Sequence, residues 1–239
     1  IPGPLTGLPI PAHAEIAIEG EIPPPDVESR EEGPYGEWTG YYAGGTLGTG
    51  EDQPVIRVKA IYYRDDPILL NMAPQWPGAP HHGVRFEGGI LWDQLEAAGV
   101  AGVKGAYIHN AFLAVVAIEQ RYAGHAKQTG MAARNGRFIV IVDDDIDPSN
   151  MKEVWWAMTS RCDPASDIDI IDNCWASPLD PRMPRDVSKT GPHVNSRAII
   201  QAVRPWAWRG EFPAVNRIDA DQRDAVVKKF KELLPFPRM

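Results

Sequence analysis

The sequence predicts a mixed α+β and α/β chain, in which a β-rich first part (residues 1–85) precedes an α/β domain (residues 86–239). In the first part, short apolar stretches are separated by turns rich in glycine and proline, a pattern typical of a sheet or a barrel. From residue 88 onward, apolar β-branched runs alternate with amphipathic stretches. That alternation predicts a mixed sheet covered by flanking helices.

Composition argues against several classes of protein. The 239-residue chain has a formal net charge of −8 and no run of lysine or arginine, so we expect no nucleic-acid partner. No apolar stretch is long enough to span a bilayer, so we expect no membrane partner. Cys162 and Cys174 lack metal-ligand spacing, which fits a reducing cytoplasm. Because the chain begins Ile1-Pro2-Gly3-Pro4, we expect a piece of a longer polypeptide.

The first part contains candidate strands on both sides of an acidic loop. Residues 14–20 alternate between apolar and acidic or small side chains, which predicts a half-buried strand with Ile16 and Ile18 on its apolar face. Residues 43–52 are rich in glycine but lack the spacing of a phosphate-binding loop, so we interpret them as a turn. Residues 54–70 predict two strands joined by a turn.

Helices and strands alternate in the α/β domain. Periodicity and end signals predict helices over 88–99, 120–136, 149–161, near 194–203, and over 219–234. Apolar runs predict strands over 100–119 (two strands, split near His109 and Asn110), 137–148 and 167–172. Ser149 is the predicted N-cap of the third helix, with Glu153 in its early turns.

Residues 29–42 bring acidic side chains, glycines, a proline and aromatic side chains together. Glu32 and Glu37 lie five residues apart, and Gly33-Pro34-Tyr35-Gly36 between them cannot continue a helix or a regular strand. A rigid loop of this kind would hold both carboxylates beside the aromatic side chains of Tyr35, Trp38, Tyr41 and Tyr42. Aromatic walls exclude water from a carboxylate and raise its pKa, as proton transfer requires. The alternative is an acidic surface turn followed by an aromatic strand.

Two other groups of polar residues permit chemistry. Asp143–Asp145 lies at the expected carboxyl end of a parallel strand, where clustered carboxylates can hold Mg²⁺ or Mn²⁺. The alternative is that Asp147 and its neighbours serve the N-terminus of the following helix. His82 and Arg85 belong to an irregular segment, 71–87, and are interpreted as exposed loop residues. If that segment lines a pocket, they would face an anionic ligand.

Ordered motifs along the chain resemble the UbiD family of decarboxylases. The segments PIPAHAEIAIEGEI and EEGPYGEWTGYY are similar to the family patterns P-A-x-x-E-I-V-x-E-G and E-G-P-[FY]-G-E-x-x-G-Y. The similarity continues in order through VIRVKAIYYRDDPIL, QRYAGHAKQ, IVIVDDDIDP, EVWWAMTSRCDP and SPLDP. It covers essentially the whole chain, and motifs in this order are highly specific.

The resemblance implies a reversible, non-oxidative decarboxylase of aromatic or α,β-unsaturated carboxylic acids that uses prenylated FMN. In the family, two glutamates and an arginine form a network, and one glutamate supplies the proton that replaces CO₂. Carried over to this sequence, Glu37 becomes the proton donor and Glu32 its partner. The resemblance also implies part of a flavin-reductase-like split β-barrel over 1–85 and dimerisation through 86–239. VDDDIDP is a structural motif of the family, which favours helix capping over a metal site.

Family features that lie upstream of the first motif are missing from this sequence. The resemblance places the catalytic arginine, the Mn²⁺ and K⁺ ligands and most flavin contacts in an N-terminal half or a companion subunit of a homodimer or hexamer. Flavin-binding residues of this chain therefore stay unassigned, and no metal ligand is expected in it. The implied substrate wall includes His82, Arg85, Met131, Asn135, Ser177 and Leu179.

Two alternatives to a decarboxylase portion stay open at this stage. The first is a divalent-metal-dependent transferase that uses Asp143–Asp145. The second is a non-catalytic assembly subunit that has kept the fold. The presence of both Glu32 and Glu37 argues against the second alternative.

Overall fold

Pairs of short antiparallel strands make up the first part of the chain in the computed structural model. The structure describes residues 1–37, 39–43, 51–69, 86–110, 112–134, 136–184, 191–216 and 219–230. The strands are β1 (Ile16–Glu21), β2 (Ser29–Glu32), β3 (Tyr35–Gly36), β4 (Tyr42–Ala43), β5 (Glu51–Pro54) and β6 (Arg57–Tyr63). β1 pairs with β6, β2 with β5 and β3 with β4.

The apolar face of the β1–β6 pair is exposed. Ile16 lies opposite Tyr63, and Ile18 lies opposite Ile61. These four side chains are between 39% and 72% exposed. The predicted strand is confirmed. Its isoleucine face, which was expected to be buried, is exposed, and Glu19 on the opposite face is buried. The physical reason is that the N-terminal segment folds onto the Glu19 side, and no described segment covers the isoleucine side.

The carboxylate of Glu19 ties the N-terminal segment to β1. Its oxygens accept hydrogen bonds from the backbone N–H groups of Leu5 (3.0 Å) and Thr6 (2.9 Å), and from the Thr6 hydroxyl. The Thr6 hydroxyl contributes most to lowering the pKa of Glu19 from 4.5 to about 2, against the opposing effect of burial. The fit is close, because a Cβ atom on Gly3 would lie 2.3 Å from a Glu19 carboxylate oxygen.

Acid is expected to release this N-terminal segment. Because the pKa of Glu19 is lower in the folded chain than its ordinary value of 4.5, its stabilising effect is present above that value and is lost as the pH falls toward about 2. The backbone amide signals of Leu5 and Thr6 in an NMR titration should therefore shift with a midpoint near pH 2. Thr6→Val should move the midpoint toward 4.5. A midpoint near 4.5 in the unaltered chain would contradict the assignment.

A five-stranded mixed sheet forms the centre of the second part. Its strands are β7 (Val103–Asn110), β8 (Leu113–Ile118), β9 (Phe138–Asp143), β10 (Ile168–Trp175) and β11 (Val194–Ala202). Their order across the sheet is β10-β11-β9-β8-β7. β9 runs parallel to both of its neighbours, and the two outer pairs are antiparallel. The predicted mixed sheet is thereby confirmed.

Helices cover both faces of this sheet. They are α1 (Glu87–Ala97), α2 (His125–Ala132) and α3 (Met151–Arg161). A further helix, α4 (Ala220–Phe230), has no buried residue. Val116 of β8 belongs to the buried cluster that contains Leu91 of α1, whereas its neighbour Val115 belongs to the cluster that contains Val154 of α3. Successive residues of β8 therefore face opposite cores, which explains its continuous apolar sequence. Among the described helices, none has the length and apolar character needed to cross a membrane.

Two predictions in this domain are wrong. A helix was predicted over 194–203, but the strand β11 lies there. This strand runs between β9 and β10 and pairs with both, and Ile199 and Ile200 are buried in it. The N-cap of α3 is Asn150, not Ser149: the Asn150 side chain accepts a hydrogen bond from the backbone N–H of Lys152 (3.1 Å).

Candidate active site

A tight turn and a short hairpin present the two glutamates of the acidic loop. β2 ends at Glu32, and Gly33 has a φ of 90°, in the left-handed region that glycine tolerates. The Gly33–Pro34 peptide is cis. The backbone N–H of Glu37 donates to the Tyr41 carbonyl (3.0 Å), and the Glu37 carbonyl accepts from the Gly40 N–H (3.0 Å). Both backbone polar groups of Glu37 are therefore held by the hairpin.

The aromatic side chains of this loop do not enclose the carboxylates. Glu32 is exposed and Glu37 is half-buried. Tyr35, Tyr41 and Tyr42 are themselves 45%, 63% and 57% exposed. Trp38 lies outside the described residues. The predicted exclusion of water is therefore not provided by the described residues, because the tyrosines are themselves in contact with solvent.

The arginines near the acidic loop have other partners. Arg57 contacts the Glu28 carboxylate at 2.6 Å, and Arg30 contacts it at 3.4 Å. Among the described residues, no ion pair engages Glu32 or Glu37. The loop therefore has the charge that an arginine from outside this chain would complement.

Arginines occupy the aspartate cluster at the end of β9. Arg161 contacts Asp143 at 2.8 Å and both carboxylate oxygens of Asp145 at 2.8 Å. Arg204 donates its backbone N–H to Asp143 (2.7 Å), and Gln120 donates its side-chain amide to the same carboxylate (2.7 Å). Hydrogen bonds from Arg161 lower the pKa of Asp145. The cluster is thus satisfied by cations of the protein, which argues against the transferase alternative.

Of the acidic residues predicted to serve the start of α3, Asp147 does so. Asp147 accepts a hydrogen bond from the Ser149 N–H (2.9 Å) just before α3, and its own N–H donates to Glu153 (3.0 Å). Asp143 and Asp145 instead form ion pairs with Arg161 of α3, and Asp143 also accepts a hydrogen bond from Arg204, which follows β11. Among the residues that the structure describes, no group of three or more His, Cys, Asp or Glu side chains could hold a metal ion.

The predicted substrate wall coincides in part with a cavity of about 380 Å³ in the α/β domain. Ser177 lines this cavity, as do Arg134 and Gly136 on either side of Asn135. Asn135 itself, His82 and Arg85 lie outside the described residues.

Two predicted wall residues are not among those that line the cavity. Met131 on α2 is 64% exposed, and Leu179 is 39% exposed. The backbone N–H of Leu179 donates to the Ser177 hydroxyl (3.2 Å). The structure therefore brings Ser177 together with the neighbours of Asn135, and it leaves Met131 and Leu179 on the surface.

Sequence reasoning missed the residues that fix the cavity. Asp180 is 4% exposed and accepts hydrogen bonds from both the Arg137 guanidinium and the Asn195 amide. Burial raises the pKa of Asp180, but the hydrogen bonds from Arg137, from the Arg182 backbone N–H and from Asn195 together lower it below its ordinary value. The sequence signal for Asp180 was SPLDP, a short motif with prolines on both sides of Leu179-Asp180. The motif alone could not reveal the partners of Asp180, because Arg137 and Asn195 lie far away in sequence.

Two family domains together match most of the chain. Residues 2–77 match the 3-octaprenyl-4-hydroxybenzoate carboxy-lyase Rift-related domain, UbiD. Residues 90–202 match the 3-octaprenyl-4-hydroxybenzoate carboxy-lyase C-terminal domain. The chain belongs to the UbiD family. A curated relative, the phenolic acid decarboxylase of Streptomyces sp. (strain D7), is 34% identical over 228 residues, which are 87% of this chain and 44% of the relative.

Solved structures of UbiD-class enzymes are similar to this UbiD-family chain. HmfF from Pelotomaculum thermopropionicum in complex with FMN has a TM-score of 0.66 and 28% identity, over 89% of this chain and 46% of that one. An evolved dimeric form of HmfF in complex with prFMN has a TM-score of 0.61 and 26% identity, over 90% and 44%. The open form of Sedimentibacter hydroxybenzoicus vanillic acid decarboxylase with truncated ShVdcD has a TM-score of 0.65 and 26% identity, over 95% and 48%. The chain thus spans less than half the length of each of these proteins.

Proposed function

We propose that this chain is part of a UbiD-type carboxy-lyase that removes CO₂, reversibly and without net oxidation, from an aromatic or α,β-unsaturated carboxylic acid. The observation that carries the proposal is the Glu32–Glu37 loop, in which both backbone polar groups of Glu37 are fixed. Family membership and the decarboxylases among the relatives support the reaction class. The Streptomyces relative is named for phenolic acids, which supports an aromatic substrate.

In this proposal, Glu37 donates the proton that replaces CO₂ on the substrate carbon. Hydrogen bonds to Tyr41 and Gly40 fix the backbone of Glu37, which restricts the positions that its carboxyl group can reach. Glu32 lies across the Gly33–Pro34 turn and pairs with an arginine from outside this chain.

Prenylated FMN is the proposed cofactor, and it would accept the electron pair that CO₂ leaves behind. FMN and prFMN in the HmfF structures support a flavin. The described acidic loop offers carboxylates that suit proton delivery to a substrate on the flavin, but its negative charge does not suit the flavin phosphate. The phosphate contacts would therefore come from other residues. Mn²⁺ and K⁺ would likewise be held by residues outside this chain.

A second polypeptide segment is the proposed partner of the β1–β6 pair. The open face formed by Ile16, Ile18, Ile61 and Tyr63 is a contiguous apolar surface of the kind that marks an interface. The relatives are more than twice as long as the part of them that this chain matches. We propose that a segment equivalent to their remaining half covers this face and completes a split β-barrel, either as an N-terminal half or as a companion subunit. The assembly is proposed to be a homo-oligomer through the α/β domain.

The experiment that tests the function begins with the assembly as it is purified. Its mass and absorption spectrum show whether a second polypeptide and a modified flavin are present. CO₂ release is then measured from a panel of hydroxylated benzoic acids and α,β-unsaturated acids. We expect release from at least one acid class. An assembly that contains the modified flavin and releases no CO₂ from any of them would overturn the proposal and favour a non-catalytic subunit.

Replacement of Asp144 separates the proposal from a metal-dependent transferase. Its carboxylate is 45% exposed and lies 3.9 Å from Arg204, outside the 2.8 Å contacts that Arg161 makes with its neighbours. We therefore expect Asp144→Ala to leave CO₂ release within about twofold of the unaltered assembly, because surface substitutions of this kind change stability little. Loss of activity in a folded Asp144→Ala variant would favour the transferase.

A further inference from the structure

His125, the first residue of α2, is a histidine without contact to solvent. It belongs to the segment QRYAGHAKQ, and it is 0% exposed. The helix that it begins packs closely on the central sheet. Ala126 lies in the same buried cluster as Ile139 of β9. A Cβ atom on Gly130 would overlap the Ile199 side chain of β11. A charge on the imidazole would therefore be buried beside an apolar core, which costs free energy.

The hydrogen bonds of the ring define its protonation state. Nδ1 accepts a hydrogen bond from the backbone N–H of Arg121 (3.3 Å), so the proton of the neutral imidazole lies on Nε2. A second proton can bind only at Nδ1, where it would face the Arg121 N–H and break this hydrogen bond. Among the described residues, Nε2 has no hydrogen-bond partner of ordinary geometry. The imidazole therefore ties the start of α2 to the preceding turn only while it is neutral.

The surroundings of the ring also oppose a positive charge. Burial lowers the pKa of His125 most strongly, the Ala101 backbone acts in the opposite direction, and the positive charge of Arg121 lowers the pKa further. The ring lies at the N-terminal end of α2, where the helix dipole is positive. The Tyr122 ring covers it, with the two ring centroids 4.4 Å apart. Geometry and charge thus agree that His125 is neutral in the folded domain.

The other charged groups on the surrounding elements are paired with one another. Glu119, which follows β8, contacts Lys104 of β7 at 3.0 Å and lies 3.8 Å from Arg121. Lys127 of α2 contacts Asp169 of β10 at 2.6 Å. Within the described ranges, no carboxylate forms an ion pair with the imidazole. A protonated ring would therefore have no counter-charge beside it.

The segment that follows α2 depends on the position of the helix. The main-chain carbonyls of Ala133 and Arg134 accept hydrogen bonds from the Arg197 guanidinium of β11, at 3.1 Å and 2.8 Å. Arg134 and Gly136 belong to the wall of the cavity described above. Movement of α2 away from the sheet would break the contacts with Arg197 and displace this wall.

We propose that His125 is a proton-sensitive switch, in which uptake of one proton from solvent at Nδ1 breaks the hydrogen bond with the Arg121 N–H and releases α2 from the sheet. Release exposes the imidazolium to water and removes the support of the segment after α2. The domain would thus lose its cavity wall reversibly as the solution becomes acidic. The switch does not depend on the proposed reaction, since it concerns the position of a helix.

The test is hydrogen–deuterium exchange of the purified assembly, measured over peptides from α2 and α3 and corrected for the pH dependence of chemical exchange. An exposed imidazole with the ordinary pKa of 6.5 takes up a proton that the buried one does not, so the stability of α2 falls as the pH drops below 6.5. We expect the opening of α2 to increase about tenfold between pH 7.5 and pH 5.5. The helix α3, which contains no histidine, should not change over this range.

His125→Gln should remove the pH dependence of α2, because its amide oxygen can accept from the Arg121 N–H but does not titrate in this range. The matched control is His13→Gln, since His13 is exposed in the first part of the chain, and it should keep that dependence. Two results would overturn the switch: opening of α2 that rises no more than that of α3 in the unaltered assembly, or an unchanged pH dependence in folded His125→Gln. The first comparison uses the unaltered assembly, so it decides the matter even if His125→Gln does not fold.

Discussion

Glu37→Gln is expected to lower CO₂ release by about a hundredfold to ten-thousandfold in the assembly that contains prenylated flavin. An amide keeps the size and the hydrogen-bonding shape of the side chain but cannot donate the proton that replaces CO₂. A general acid contributes about a hundredfold to ten-thousandfold to a reaction, so its removal should dominate the kinetics. The measurement is CO₂ release under substrate saturation, with the absorption spectrum of the flavin as the check that the cofactor is still bound.

Glu31→Gln is the matched control for this variant. Glu31 is exposed on β2, next to Glu32 in sequence, and its replacement removes the same charge from the same loop. If the effect of Glu37→Gln came from the loss of charge in the loop, Glu31→Gln would show it as well. We expect Glu31→Gln to keep most of its activity. Normal turnover in folded Glu37→Gln would remove Glu37 from the mechanism.

Local sequence patterns were sufficient for the parts of the fold whose signals are local. The apolar runs at β8 and β9 predicted buried strands, since both faces of these strands are covered by α1, α2 and α3. The two glycines and the proline between Glu32 and Glu37 predicted a tight turn, and Gly33 has the left-handed backbone that such a turn uses.

The errors arise where distant parts of the chain decide the structure. VNSRAIIQA has residues that suit a helix, but the space between β9 and β10 requires a strand, and tertiary pairing overrides local preference. The isoleucine face of β1 was expected to be covered, and its cover is not among the described residues. Asp143 and Asp145 looked like a metal site because their partners, Arg161 and Arg204, lie 16 to 61 residues away in sequence.

The same long-range dependence limited what could be predicted of the site. The acidic loop is a local motif, so Glu32 and Glu37 could be proposed as site residues without a structure. The cavity is not local, since it takes side chains from a strand turn, a segment after a helix and two strands. Ser177 could be placed in it by resemblance, but Arg134 and Arg197 become neighbours only once β11 lies beside β9.

Replacement of Arg161 is expected to have a large effect on the stability of the domain. The Arg161 side chain is 1% exposed and that of Asp143 is 5% exposed. The guanidinium also lies over the Trp156 ring, 5.1 Å from its centroid. Removing one partner of a buried ion pair costs about 3–5 kcal/mol. Because the Arg204 side chain also lies 3.2 Å from Asp143 and keeps part of its charge compensated, the lower end of that range applies to Arg161. We therefore expect Arg161→Met to lower the free energy of unfolding by about that amount, measured by denaturant titration of the purified assembly.

A double-variant cycle distinguishes the lost ion pair from lost packing. Asp143→Asn removes the buried charge that Arg161→Met would strand, so the double variant should be destabilised by less than the sum of the two single variants. Arg182→Met is the control for a solvent-exposed arginine and should change stability by less than about 0.5 kcal/mol. Additive effects of Arg161→Met and Asp143→Asn would show that the two side chains stabilise the domain independently. Coupling between them would instead mean that the end of β9 is built around a protein cation, in the place where a metal-dependent enzyme would hold its metal.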